Sequence, residues 1–470
     1  CGAIALVFLM HTAQATHLFQ SDASLAQGRD RASKAQRTAS GAVHGSPIWL
    51  GMHGSAKLDG SDAPPSVDMA RLAERAAGAD GGVHKVIAAH RPNDTSSPFL
   101  WTAESGRVAR CTHLESGRVV QLVRGHAGPV SGLATWSVSD HRAFVCTASW
   151  DRCIRIWPVL PGKRPPCLVK LDEAGADLLK ALCVDPVHCI LYAGGNDKTV
   201  RAWNLAPLSK WAHDLDDAAW AALATVPAPC PVPTVRGALQ GQHTRPIVCI
   251  STLPPPPHGA VVANDVPEPG TVFSADSMGR VLQVTPDLSV VRELNGHETS
   301  VNDIKPVWRE EDDTWTAHVW TASSDQSVRC FPLSSQKDRP ARWGARSSHA
   351  GDVLGSQPPV YATHMIPVPC KAHAVLPLRD ETVLVGMEDG TLQVYRDDQP
   401  ETALDGHWHN VTYAGWWTTP QAYVVTASLD GTVRRWPLSM LEGHMPETPA
   451  AAALTAEEEA ELAELMEGEV

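Results

Sequence analysis

The feature that most constrains this chain is a short segment that returns seven times. It reads TASWDRCIRIW from Thr147 to Trp157, AGGNDKTVRAW from Ala193 to Trp203 and TASSDQSVRCF from Thr321 to Phe331. It returns as VGMEDGTLQVY from Val385 to Tyr395 and TASLDGTVRRW from Thr426 to Trp436. Each copy predicts a strand, a tight turn at x-Asp-Gly-like residues, a second strand and a closing aromatic. Two degenerate copies share the frame: Ser274 to Val284, with Met278 where Asp is expected, and Trp101 to Cys111, with Ser105 there. The copies end at residues 111, 157, 203, 284, 331, 395 and 436, and four of the six intervals are 41 to 47 residues. That is the length of one four-stranded structural repeat. The intervals of 81 and 64 residues carry insertions. Residues 204–240 are rich in Ala and Pro and show no strand–turn–strand signature, so the longer interval reads as an insertion and not as an eighth unit.

Four copies are preceded by a Gly-His-like pair before an apolar strand: Gly125-His126, Gln242-His243, Gly296-His297 and Gly406-His407. Over about residues 84–437 the chain resembles the WD40-repeat family. The resemblance implies an all-β fold, a seven-bladed β-propeller over residues 43–437. It also implies that the His, a Ser or Thr of the second strand, the turn Asp and the Trp form one hydrogen-bonded set, which satisfies polar groups beside a packed core. By position the sets are His126, Thr147, Asp151 and Trp157, then His407, Thr426, Asp430 and Trp436. A third, His297, Thr321 and Asp325, ends short at Phe331, and the copies ending at Val284 and Cys111 lack one. The family's Asp after Trp is replaced by Pro158, Asn204 and Pro437, so the WD-x-Arg pattern of receptors for cullin-type ubiquitin ligases is absent.

A His/Asp/Thr grouping invites comparison with a catalytic triad. Here it recurs at repeat spacing, which an active site has no need to do, so the sets read as structural. No P-loop, GxSxG, HExxH or dinucleotide-binding glycine pattern is present. The eleven cysteines are scattered without a CxxC pair, and Cys183, His188 and Cys189 lack metal-ligand spacing. Neither a cofactor nor a metal is expected. Net charge is −13 and no Lys/Arg block stands out, which argues against a nucleic-acid or anionic-membrane surface. Trp (16) outnumbers Phe (6) and Tyr (5) together, as a repeated structural Trp would require.

Strand order assigns the loops. Gly-His pairs and x-Asp turns share one rim, where connections are short. The insertions 204–233, 252–270, 305–316 and 332–360 fall on the other rim, and the Pro-rich excursions such as Pro254 to Pro257 are expected to be mobile. On the short-looped rim the residues before the turn Asp, namely Trp150, Asn196, Ser324, Glu388 and Leu429, are expected to point outward. Glu298, Trp408 and His409 join them from the Gly-His loops. Exposed Trp is a common binding anchor, so Trp150 and Trp408 are the leading candidates for partner contact.

Ser46 to Met52 is expected to pair beside 432–436 and close the ring, removing two sheet edges. Residues 1–42 open on an apolar run resembling a signal peptide but without a basic start, and otherwise read as disordered; a short helix is expected around Met69 to Ala77. After a linker, 438–453, residues 454–470 predict a short acidic amphipathic helix. It opens on a Thr455–Glu458 capping box and carries Leu454, Leu462, Leu465 and Met466 on one stripe as a candidate docking element. The function expected is a non-catalytic scaffold or adaptor, cytoplasmic or nuclear, that binds other proteins or peptides. Recognition of a methyl-lysine or degron peptide, and a propeller enzyme, are the alternatives.

Overall fold

A computed structural model describes residues 48–52, 85–90 and 97–441, apart from residues 140, 227, 312, 335–354, 379–381 and 419–421. The expected helix around Met69, the segment 1–42 and the acidic helix with Leu454, Leu462, Leu465 and Met466 lie outside the described residues.

The second strand of each repeat is buried over most of its length, with apolar residues on both faces, as in Ile190–Gly195 and Thr382–Met387, both buried at every position. A strand apolar on both faces must be covered on both faces, which sets blade against blade. Seven sheets result, spanning residues 86–124, 130–171, 179–239, 247–295, 301–367, 372–405 and, for blade 7, 411–437 with 48–52. Within each, four strands pair antiparallel in chain order, the fourth of blade 7 being Ile48–Met52, and the first strands of neighbouring blades touch all the way round. The core is divided accordingly into clusters between adjacent blades. One unites Trp157 of blade 2 with Trp101 and Val123 of blade 1.

The ring closes as the sequence suggests. Strand Ile48–Met52 lies antiparallel to Thr432–Pro437, with Ile48 opposite Arg435 and Met52 opposite Thr432. Blade 4 has a fifth strand, Val360–Tyr361, running parallel to its outer strand Val290–Asn295 and supplied by the connection inside blade 5.

The structure corrects the reading of several segments. In blade 1 the repeat frame is one residue later than predicted. Thr102 pairs with Arg110 as Thr147 does with Arg155, so the position of Trp157 is held by Thr112 and not Cys111. Residues 305–316 are no loop insertion: strands Val301–Glu311 and Thr314–Ser323 continue as a long hairpin past the core. The Pro-rich segment beside it is fastened and not free. Trp308 Nε1 donates to the Pro254 carbonyl at 2.7 Å, and Trp315 N donates to Val261 O at 2.8 Å.

The insertion in blade 3 contains two helices, α1 (Ala206–Asp214) and α2 (Asp217–Ala222), the second capped by Asp216, which accepts from Ala219 N at 2.7 Å. They bury Leu208, Ala212 and Trp220 against blade 2, where Trp220 meets Phe144 edge-on. Arg142 of blade 2 latches them. Its Nη1 donates to the carbonyls of Ala212 (2.9 Å), His213 (3.1 Å) and Leu215 (2.5 Å), and its Nη2 to Asp217 Oδ1 (2.7 Å). Hydrogen bonds from a charged donor contribute about 1.5–3 kcal/mol each at most. Arg142→Ala is therefore expected to lower the unfolding free energy by about 2 kcal/mol and to open the 204–233 connection to limited proteolysis before the blades unfold.

Candidate functional site

The rim bearing the Gly-His loops is built by the polar sets. In blade 7, Asp430 Oδ1 accepts from Thr432 N (2.8 Å) and from the Thr432 hydroxyl (2.6 Å), closing the turn between second and third strands. Its Oδ2 lies 3.0 Å from His407 Nδ1 and accepts Trp408 N–H at 3.2 Å. The carboxylate therefore selects the tautomer protonated on Nδ1. Nε2 is left as acceptor for the Thr426 hydroxyl at 2.8 Å, and Thr426 Oγ1 in turn accepts Trp436 Nε1–H at 2.9 Å. Blade 2 repeats the relay: 2.9 Å from His126 to Asp151, 2.8 Å to Thr147 and 3.2 Å from Trp157 to Thr147. In blade 5, His297 meets Asp325 at 2.8 Å and Thr321 at 2.6 Å, and Phe331 offers only a ring edge to the imidazole.

Blade 4 holds a set where none was expected. His243 Nε2 lies 2.8 Å from Ser274 Oγ and Nδ1 lies 3.2 Å from Asp276 Oδ2. This carboxylate sits two residues before the usual position, and its Oδ1 accepts from Met278 N (2.9 Å) and Arg280 N (3.2 Å). The signal was an Asp displaced along the strand, invisible to a fixed frame. In blade 1, Glu104 takes the place of Ser149 and meets Arg110 Nε at 2.7 Å; burial pushes its carboxyl up to about 7 against the pull of Arg110.

The electrostatics suit a brace. Burial holds the imidazoles of His126, His297 and His407 below the ordinary range, more than their Asp partners restore. Burial alone would raise Asp430, but the charge and hydrogen bond of His407, with Arg434 and the Thr432 hydroxyl, outweigh it and hold the carboxyl at about 2. At neutral pH the pairs are neutral imidazole with carboxylate. The hydroxyls of Thr147, Thr321 and Thr426 are fully buried, so no substrate carbonyl can reach them.

The predicted rim residues do not behave alike. Trp150 is 43% exposed, and its backbone N–H donates to Pro129 O at 3.1 Å. Trp408 does not stand free: it is half-buried, with the Arg434 guanidinium 5.3 Å from its ring centre. Ser324 accepts from Asn302 (2.9 Å), Glu388 pairs with Lys371 (3.0 Å), and His409 bonds Asn410 (2.8 Å). Asn196 and Leu429 are half-buried, and Glu298 is exposed with its N–H on Asp325 at 3.1 Å. Met278, passed over as a degenerate turn residue, is 48% exposed. Away from the rim, Cys183 and Cys189 turn to Thr252 and to the Pro186 carbonyl, and His188 pairs with Asp185 at 2.6 Å. Among the described residues no group of three such side chains could hold a metal ion, and no helix is long and apolar enough to cross a membrane.

Seven four-stranded blades, two of them braced by full Trp–Thr–His–Asp relays and two by partial sets, define a β-propeller of the WD type. Residues 117–158, 166–204 and 398–437 match the family described as WD domain, G-beta repeat. An uncharacterized WD repeat-containing protein of Schizosaccharomyces pombe is 22% identical over 80% of this chain and 86% of its own length. Two partial likenesses are to the nuclear distribution protein PAC1 of Candida albicans and the Polycomb group protein FIE1 of Zea mays. The first is 24% identical over 25% of this chain and 33% of its own, the second 29% identical over 23% of each. With the seven blades, these matches show WD40 repeats in three places of a seven-bladed propeller that is similar to WD repeat proteins.

Two outcomes test the brace. Thr426→Val keeps shape but strips two buried partners, and each buried polar group left unpaired costs about 1–3 kcal/mol. Chemical denaturation should show a larger loss for Thr426→Val than for Thr321→Val, which has no indole to orphan. The three imidazoles titrate below their unfolded value near 6.5, so between these values the unfolded chain binds more protons. Their contribution is complete above about pH 6.5 and is lost as pH falls. The melting temperature should drop between about pH 7 and pH 5, and less steeply in His407→Gln.

Proposed function

We propose that this protein is a non-catalytic interaction scaffold whose short-looped rim docks a partner protein, with Trp150 as the anchor. The observation that carries the reading is the exposure of Trp150 at 43% on a rim whose other tryptophan, Trp408, is covered by Arg434. An indole left in water without a structural role is costly and is the residue type most often found at the centre of binding hot spots. Met278, two blades away on the same turn type, supplies a second and adaptable apolar contact. The loops between them are short and hydrogen-bonded, so the surface is preformed and little ordering cost falls on binding.

Trp150→Ala removes an exposed side chain and should leave the melting temperature unchanged. Affinity of the native partner should fall by about 2 kcal/mol, near thirtyfold. Quantitative affinity purification with the wild-type and Trp150→Ala chains measures it. An identical set of co-purifying proteins at identical yield would sink the assignment of this rim.

A further inference from the structure

Proline dictates the local geometry of the segment that leads from helices α1 and α2 to the outer strand of blade 3. Residues 228–233 read Ala-Pro-Cys-Pro-Val-Pro and form neither helix nor strand. Each proline fixes its own φ at about −65°, and each residue before a proline is driven out of the α region into the extended one. Every position of the run is one or the other, so the backbone follows a polyproline-II helix, with about three residues per turn and no internal hydrogen bonds. Among the described residues no main-chain hydrogen bond holds residues 228–232.

Burial follows that turn. On one edge Cys230 and Pro233 fasten the segment down. Cys230, with Ala228, packs against the core cluster of Val169 and Trp220, its thiol donates to Leu168 O at 3.8 Å, and Pro233 is buried. On the opposite edge Pro229 and Val232, also three residues apart, are exposed. The same interval reaches back to Val226 and on to Val235, at the start of strand Thr234–Leu239. The three valines are 60–67% exposed and make up three of the eight large apolar side chains that stand in water among the described residues. An i, i+3 edge of a polyproline-II helix is a ridge with teeth about 9 Å apart. Here that ridge is apolar, faces solvent, and is held in shape from below.

Cations lie to one side of it. The stretch of blade 2 that runs to Leu168 carries Lys163 and Arg164, both exposed and, among the described residues, in no ion pair. The carboxylates of the insertion are mostly engaged: Asp216 caps α2 and Asp217 pairs with Arg142, which leaves Asp214 exposed at the end of α1. Arg236, just beyond Val235, is paired with Asp287.

We propose that this ridge docks in a partner domain whose groove is lined by aromatic rings and rimmed by carboxylates, of the Src-homology-3 or WW kind. Such grooves read polyproline-II ridges, whose tooth spacing is set before binding. The prolines and the buried edge remove most of the ordering cost. An added β-strand is the wrong occupant, because three of the six residues have no N–H to give to a ladder. The carboxylate rim answers Lys163 and Arg164. The connection after a third strand lies at the opposite end of its blade from the turn before it, so the ridge and Trp150 are on different rims. The proposal stands whether or not Trp150 contacts a partner.

Titrating the full chain against an array of purified Src-homology-3 and WW domains tests it. At least one domain should bind, and a free proline-rich peptide that fills the groove of that domain should displace the chain. Val232→Glu and Pro229→Ser, both at exposed positions, should leave the melting temperature unchanged and weaken the binding about tenfold or more. Lys163→Glu with Arg164→Glu should weaken it about threefold at low salt, and the difference should vanish in about 1 M salt. Trp150→Ala should leave it unaltered, which separates this face from the rim of the Gly-His loops. No binding by any domain, binding that the peptide does not displace, or full affinity in the Val232 and Pro229 variants would overturn the proposal.

Discussion

The structure depends on keeping a chain of hydrogen bonds dry. In blades 2 and 7 an indole N–H, a threonine hydroxyl, an imidazole and a carboxylate are joined end to end, and all but the Asp151 carboxylate are almost wholly buried. Each hydroxyl both gives and accepts, so removing one member orphans two others. The relay ties the first strand's loop to the turn between the second and third strands, and so fixes the height at which neighbouring loops meet on the rim. The apolar clusters between blades supply adhesion; the relays supply position.

Much of this was legible in the sequence. The strand–turn–strand signal was strong because a second strand covered on both faces favours apolar residues and hydrogen-bonded Thr or Ser, and because the turn needs an Asp to accept its backbone N–H groups. Closure by Ile48–Met52 was legible for a related reason: blade 7 showed three strands and needed a fourth. What escaped was chemistry preserved while position shifted. Asp276 reaches His243 from two residues upstream, so a frame that demanded Asp at 278 saw a defect. In blade 1, Trp101 drew the frame one residue early, although Thr102 occupies the register of Thr147.

The rims show where pattern stops informing. Trp150 and Trp408 looked equivalent by loop type, and only the arginine lying over one of them separates the two. The Ala- and Pro-rich segment hid two helices within 206–222 and the outer strand Thr234–Leu239, and the helices are latched by Arg142, a residue some seventy positions away in the chain. Such tertiary capping leaves no trace in local composition.

The closing strand has a consequence for how the molecule comes into being. Ile48–Met52 waits for a partner that ends at Pro437, so a ribosome must deliver nearly every blade before the ring can shut. Until then blade 7 presents a raw edge, and the early strand has nothing to bind. Contacts this distant in sequence are slow to form, since the whole intervening chain must first be brought to heel. The interval before closure is when the nascent protein is most open to mispairing with strands of other chains.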